Sequence, residues 1–173
     1  MRIIFIGCVS FSKSIIETLL KLKKANIVGV ITKSNSSFNS DFIDLSYIAI
    51  ENNIPYKYTK DINSFEILNW IKDLNADIIY CMGWSSLIKE NLLNATSKGV
   101  IGYHPALLPQ NRGRHPIIWA LALGLKKTGS TFFKMDSGAD SGDIIIQDEV
   151  IIEFDDYALD LYNKLINSAK KQV

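Results

Sequence analysis

Residues 2–7 form a continuous apolar run ending in Gly7, and a stretch of helical spacing follows at once. A run without polar alternation is the pattern of a strand covered on both faces. Phe11, Ile15, Ile16, Leu19 and Leu20 then recur at the helical period, with Lys21, Lys23 and Lys24 where cations complement a helix C-terminus. Ile27–Thr32 returns to strand. The alternation continues through a helix on Leu45, Ile48 and Ala49 that ends near Asn52-Asn53, and an extended piece from Pro55-Tyr56. A helix on Phe65, Leu68 and Ile71, a strand at Asp77–Met82, a short helix at Leu87–Leu93 and a strand at Gly99–His104 come next. Ile117–Leu123 reads as helix, Thr131–Met135 and Asp143–Ile152 as strands, and Ala158–Ala169 as a closing helix. Such alternation predicts an α/β chain: three layers, a Rossmann-like, mainly parallel twisted sheet, and helices on both faces. Right-handed crossovers then bring the loops after the strands to one edge, where ligands bind.

The 173 residues fit one domain, with no linker, repeat or low-complexity tract to split it. Nineteen Lys and Arg against 18 Asp and Glu leave a net charge of +1. That balance makes nucleic acid an unfavoured partner, because phosphate binding needs a strong basic field. No run approaches the ~18 apolar residues of a membrane span, and the start lacks the features of an export signal. Cys8 and Cys81 lack metal-ligand spacing, which fits a reduced, cytoplasmic protein. Lys33–Ser40, rich in Ser and Asn, reads as a mobile loop.

Few segments can carry chemistry. His104-Pro105 closes a strand, and Met135-Asp136-Ser137-Gly138-Ala139-Asp140-Ser141-Gly142-Asp143 follows about one crossover later. A strand-end His and a carboxylate loop can form a general acid/base pair, although a strand stop and a simple turn are the bland alternatives. After the first strand, Ser10, Phe11 and Ser12 open a helix whose N-terminus either receives a phosphate or is merely capped by a serine. No GxGxxG or GxxxxGK[ST] pattern is present. Met82-Gly83-Trp84-Ser85-Ser86-Leu87-Ile88 offers apolar and aromatic groups at a strand end, either for a flat ring or for the core. Arg112 and Arg114 either clamp an anionic substrate or stay solvated. His115 reads as structural.

Taken together, these segments resemble the 10-formyltetrahydrofolate-dependent formyltransferase family. That family includes methionyl-tRNA formyltransferase, glycinamide ribonucleotide transformylase and the sugar N-formyltransferases. His104-Pro105-Ala106-Leu107-Leu108-Pro109 is similar to its HPSLLP segment. Arg112-Gly113 and Pro116-Ile117-Ile118-Trp119-Ala120-Leu121 resemble its RG…P…WA stretch, and Lys127–Thr131 and Met135–Asp143 resemble its TG-x-T and MDxGxDTGD elements. The likeness runs in order from Met1 to about Asp143.

The resemblance implies that His104 transfers the proton and that Asp140 orients and polarises its imidazole. It implies 10-formyltetrahydrofolate as formyl donor and no metal. Met82, Trp84, Ser86, Leu87, Ile88, Asp136, Ser137, Gly138, Ala139 and Asp140 fall at its folate-binding positions, with backbone groups near Ile88 and Ser137–Ala139 reading the pterin edge. Ser10, Phe11, Ser12, Arg112 and Arg114 would face the second substrate. One position departs: the family's oxyanion-donating Asn, two residues before the histidine, is Gly102 here. A water, a substrate group or another side chain would then have to replace the donor, unless the protein is a folate-binding relative of reduced activity. The acceptor implied is the amine of a nucleotide-linked amino sugar; methionyl-tRNA and glycinamide ribonucleotide are the alternatives. The whole chain, 1–173, corresponds to the family's catalytic domain, either short by nature or truncated at its C-terminus, and a homodimer is left open.

Overall fold

The computed structural model describes residues 1–37 and 39–173. The elements in chain order are β1 (Arg2–Ile6), α1 (Ser10–Leu20), β2 (Asn26–Thr32), α2 (Ser46–Glu51), β3 (Tyr56–Tyr58), α3 (Phe65–Asp73) and β4 (Ile78–Cys81). They continue with α4 (Glu90–Leu93), β5 (Val100–His104), α5 (Pro116–Ala122), β6 (Lys127–Lys134), β7 (Ile144–Ile151) and α6 (Ala158–Gln172). Two compact units result, Met1–Ile101 and Gly102–Val173, and the division falls inside β5.

In the first unit β1 pairs in parallel with β2 and β4, and β2 with β3, giving the order β3-β2-β1-β4. Ile3, Ile4, Phe5 and Ile6 are completely buried. That explains the unbroken apolar run, because each such side chain contributes about 1.5–3 kcal/mol only when water is excluded from it. Phe11, Ile15, Ile16 and Leu19 are the apolar residues that α1 buries. Of the Lys33–Ser40 loop, Phe38 lies outside the described residues; Lys33 Nζ sits 4.7 Å above the Trp84 ring.

Two helices differ from the sequence reading. In α3 the buried residues are Ile67 and Ile71, while Phe65 is exposed. Phe65 directly follows the capping Ser64, whose hydroxyl accepts the Ile67 N–H, and the inward face is set by the i, i+4 isoleucines. The helix expected over Leu87–Leu93 is confined to Glu90–Leu93. Asn63 explains the loss: its amide donates to the Leu87 carbonyl at 2.9 Å and its side-chain oxygen accepts the Lys89 N–H at 2.8 Å. Backbone groups held that way are unavailable to a helical ladder.

In the second unit β6 and β7 pair antiparallel. β6 begins at Lys127 rather than Thr131. Its hydroxyl-rich start resembles a loop in sequence, yet Thr128, Ser130 and Thr131 are buried with their hydroxyls hydrogen-bonded. Ala120, Val150, Ile152, Leu161 and Leu165 form this unit's core. Ile144, Ile145, Ile146 and Ile151 of β7 are exposed, so only part of this apolar strand serves that core. Among the described residues no helix is long and apolar enough to cross a membrane.

Candidate active site

β5 delivers His104 to the strand end, buried at 5% exposure. The turn after it is held by β6. Thr128 Oγ1 donates to the Pro105 carbonyl at 3.2 Å and Thr131 Oγ1 to the Ala106 carbonyl at 2.7 Å. Between them, a Cβ on Gly129 would stand 2.7 Å from the Ala106 carbon and the Leu107 nitrogen. The Thr128–Thr131 segment therefore forms a cradle: two hydroxyls grip the backbone beyond His104, and a missing side chain allows the approach.

The imidazole lies between two acceptors. Nε2 is 2.8 Å from the Asn111 carbonyl oxygen, which can only accept, so Nε2 carries a proton. Nδ1 faces Asp140 Oδ2 at 3.5 Å, with side-chain exposures of 6% for the histidine and 23% for the aspartate. The same Oδ2 accepts the Gly113 N–H at 2.9 Å. The loop that carries Asp140 is organised by Asp136, whose Oδ1 accepts from Gly138 N at 3.0 Å and from Ser141 Oγ at 2.7 Å. The loop closes where Gly142 passes the Lys134 carbonyl too closely for any side chain. Asp136 thus shapes the loop with one of its carboxylate oxygens. Ser137, Gly138 and Ala139 are exposed.

The place of the missing Asn side chain is filled. A Cβ on Gly102 would be 2.8 Å from Met135 Cγ, 3.1 Å from Met135 Sδ and 3.1 Å from Phe133 Cε1. Met135 and Phe133 therefore crowd the space that a side chain at position 102 would enter first.

Several residues of the first unit are placed differently from expectation. Ser12 is completely buried; its hydroxyl accepts the Val9 N–H at 3.2 Å and donates to the Met82 carbonyl. Phe11 is buried at 5% exposure, and both the N–H and the hydroxyl of Ser10 donate to the Asp41 carbonyl. The start of α1 is an internally bonded turn with Val9 at its cap. Met82 is completely buried and Ile88 is at 2%, whereas Leu87 and Ser86 are exposed; near Ile88 the expected contact is through backbone groups. Trp84 keeps a buried Nε1–H without a hydrogen-bond partner, the one such side-chain atom among the described residues. An orphan donor in this segment fits a bound acceptor. In the second unit Arg112 and Arg114 are exposed. Sequence reasoning missed Asn111, Gly113, Thr128 and Thr131 as supports of the His–Asp pair, because Thr128 and Thr131 grip the Pro105 and Ala106 carbonyls while Asn111 and Gly113 act through their own backbone.

A strand-end imidazole facing a carboxylate, in an α/β chain of parallel strands, is an arrangement able to move protons. The model of the Formyl transferase family matches residues 1–173, and the chain belongs to that family. It is 34% identical over 175 residues to the methionyl-tRNA formyltransferase of Kosmotoga olearia, covering 99% of this chain and 56% of that protein. The chain therefore spans about half the length of the curated relatives it matches. Its fold is that of a phosphoribosylglycinamide formyltransferase from Bacillus halodurans, with a TM-score of 0.84, 24% identity, and 99% and 90% of the two chains covered. A sugar 3N-formyl transferase crystallised in the presence of dTDP and 5-N-formyl-THF shares the fold at a TM-score of 0.73 and 22% identity, over 99% of this chain and 60% of that one. The expected Rossmann-like, mainly parallel sheet is the fold of this chain.

Proposed function

We propose that this chain transfers a formyl group from 10-formyltetrahydrofolate to the amine of a nucleotide-linked amino sugar. The observation that carries the reading is the buried His104–Asp140 pair at the end of β5, in a chain of the formyl transferase family. The bound folate supplies the formyl carbonyl, where attack by an amine builds negative charge on oxygen and leaves a proton to be moved. His104 Nδ1 takes that proton from the attacking amine and delivers it to the folate nitrogen as the bond between the formyl carbon and that nitrogen breaks, so that tetrahydrofolate leaves and the formyl group stays on the amine. The Asp140 carboxylate, 3.5 Å away, holds the ring in place and stabilises it while it is charged. With Met135 and Phe133 filling the space beside Gly102, the charged ring is also the group that meets the developing oxyanion. Proton transfer of this kind contributes roughly 100- to 10,000-fold.

Leu87, Ser86 and the unpartnered Trp84 N–H support folate binding by the 82–88 segment, and the exposure of Ser137, Gly138 and Ala139 supports it for the 136–140 loop. Each is tested by its own substitution. Arg112 and Arg114 are proposed to meet the phosphates of the acceptor. Methionyl-tRNA is the second reading for the acceptor, favoured by the likeness to methionyl-tRNA formyltransferases. The test is a panel of amino-sugar nucleotides, methionyl-tRNA and glycinamide ribonucleotide, each offered with 10-formyltetrahydrofolate and read by mass for the formyl increment. Increment on a sugar nucleotide supports the proposal. Increment only on another acceptor removes the sugar assignment, and increment on none removes the activity.

A further inference from the structure

We infer that the Asn111–Arg114 bend is a positioning device for both catalytic groups: the Asn111 carbonyl fixes the tautomer of His104, and the Gly113 N–H fixes the carboxylate of Asp140. This rests on the roles proposed above for His104 and Asp140. The two contacts, 2.8 Å to Nε2 and 2.9 Å to Oδ2, come from backbone groups two residues apart. One rigid bend thus sets the distance between two side chains that belong to different elements. With Nε2 committed to a carbonyl, Nδ1 is the nitrogen left to exchange a proton, and it is the one that faces Asp140. The hydrogen bond that one ring nitrogen makes to a carbonyl decides which nitrogen is left to work.

The backbone angles show that this arrangement is built. Asn111 has φ 54° and Gly113 φ 98°, and His115 beyond them has φ 58°. Asn is among the residues that tolerate the left-handed region; other side chains there are strained by about 1–3 kcal/mol. At Gly113 the space around a Cβ would be open, with nothing within 4 Å. Glycine is needed there for its angle and not for room. An L-alanine at 113 would therefore disturb the direction of the N–H without touching a neighbour, whereas a D-alanine matches the angle.

Two measurements test the inference. First, 15N NMR of histidine-labelled protein, with His115→Asn leaving a single ring, reads the neutral tautomer of His104. The inference requires the Nε2-protonated form; an Nδ1-protonated neutral ring overturns it. This readout needs no formyl transfer, so it stands even if the proposed activity fails. Second, replacing Gly113 by glycolate through translational incorporation removes the N–H alone. Hydrogen bonds to charged groups are the stronger kind, so kcat should fall about ten- to a hundredfold with KM unchanged. An unchanged kcat, or a loss confined to KM, overturns the inference. If the ester protein does not fold, Gly113→Ala and its D-alanine counterpart replace it. The L-form should lose kcat and the D-form retain it; equal behaviour of the two contradicts the role assigned to the bend.

Discussion

Restoring the family's Asn at position 102 is not a simple gain of a donor in this protein. The Cβ alone would stand 2.8 Å from Met135 Cγ and 3.1 Å from Sδ and from Phe133 Cε1. Side chains at those distances must give way, and overpacking of that sort costs about 1–3 kcal/mol. For a chain of this size each kcal/mol moves Tm by roughly 2–4 °C, so Gly102→Asn should lower Tm by about 2–12 °C. Met135→Ala removes both of the thioether atoms in conflict and leaves only Phe133. In that background the same Gly102→Asn change should cost at most half as much, giving a coupling of about 0.5–3 kcal/mol, the range for residues in contact. Thermal unfolding of the four proteins measures the cycle, and single-turnover formyl transfer measures the chemistry. An oxyanion donor is worth roughly 100- to 1,000-fold, so the double variant should transfer the formyl group faster than Met135→Ala alone. Additive stability changes would refute the claim that Met135 occupies the Asn site. A Gly102→Asn protein that is active where the wild type is inert would show that the wild type is a binding relative.

Three further outcomes are expected. Asp140→Asn should lower kcat by about 100-fold, because it removes the charge facing Nδ1; steady-state kinetics on the acceptor found in the panel check this. Ser12→Ala should cost about 1–3 kcal/mol of stability by orphaning the Val9 N–H and the Met82 carbonyl, while leaving KM for the acceptor unchanged. A selective rise in that KM would restore a phosphate role. Burial pushes the Cys81 thiol up to about 12 and the Cys8 thiol upward as well. Both thiols stay protonated in the fold, so their contribution is intact below the unfolded cysteine range near 9.0 and is lost as pH rises toward 12. Tm should therefore fall above about pH 9, less steeply in Cys81→Ala, and iodoacetamide at pH 8 should leave the native protein unmodified; ready alkylation would contradict the burial.

The sheet was legible because β1 is apolar at every buried position and α1 repeats at the helical period. Element ends were less so wherever a polar side chain replaces a regular bond. Asn63 shortens α4 from 24 residues away in sequence, and the buried threonines of β6 look like a loop until the Pro105 and Ala106 carbonyls are beside them. The His104–Asp140 pair was legible from its spacing and family resemblance. Its supports were not, since a carbonyl at Asn111 and an N–H at Gly113 exist at every residue of a chain. Only the fold shows which of them point at the site. The burial of Ser12 was not legible, because a serine at the start of a helix looks the same whether its hydroxyl faces solvent or another strand end.

The most direct test of the account is single-turnover formyl transfer by wild type and His104→Ala, at saturating 10-formyltetrahydrofolate and with the best acceptor from the panel. If the imidazole moves the proton and meets the oxyanion, the folded variant should be slower by about 100-fold or more. A His104→Ala protein that transfers the formyl group at the wild-type rate would contradict the account.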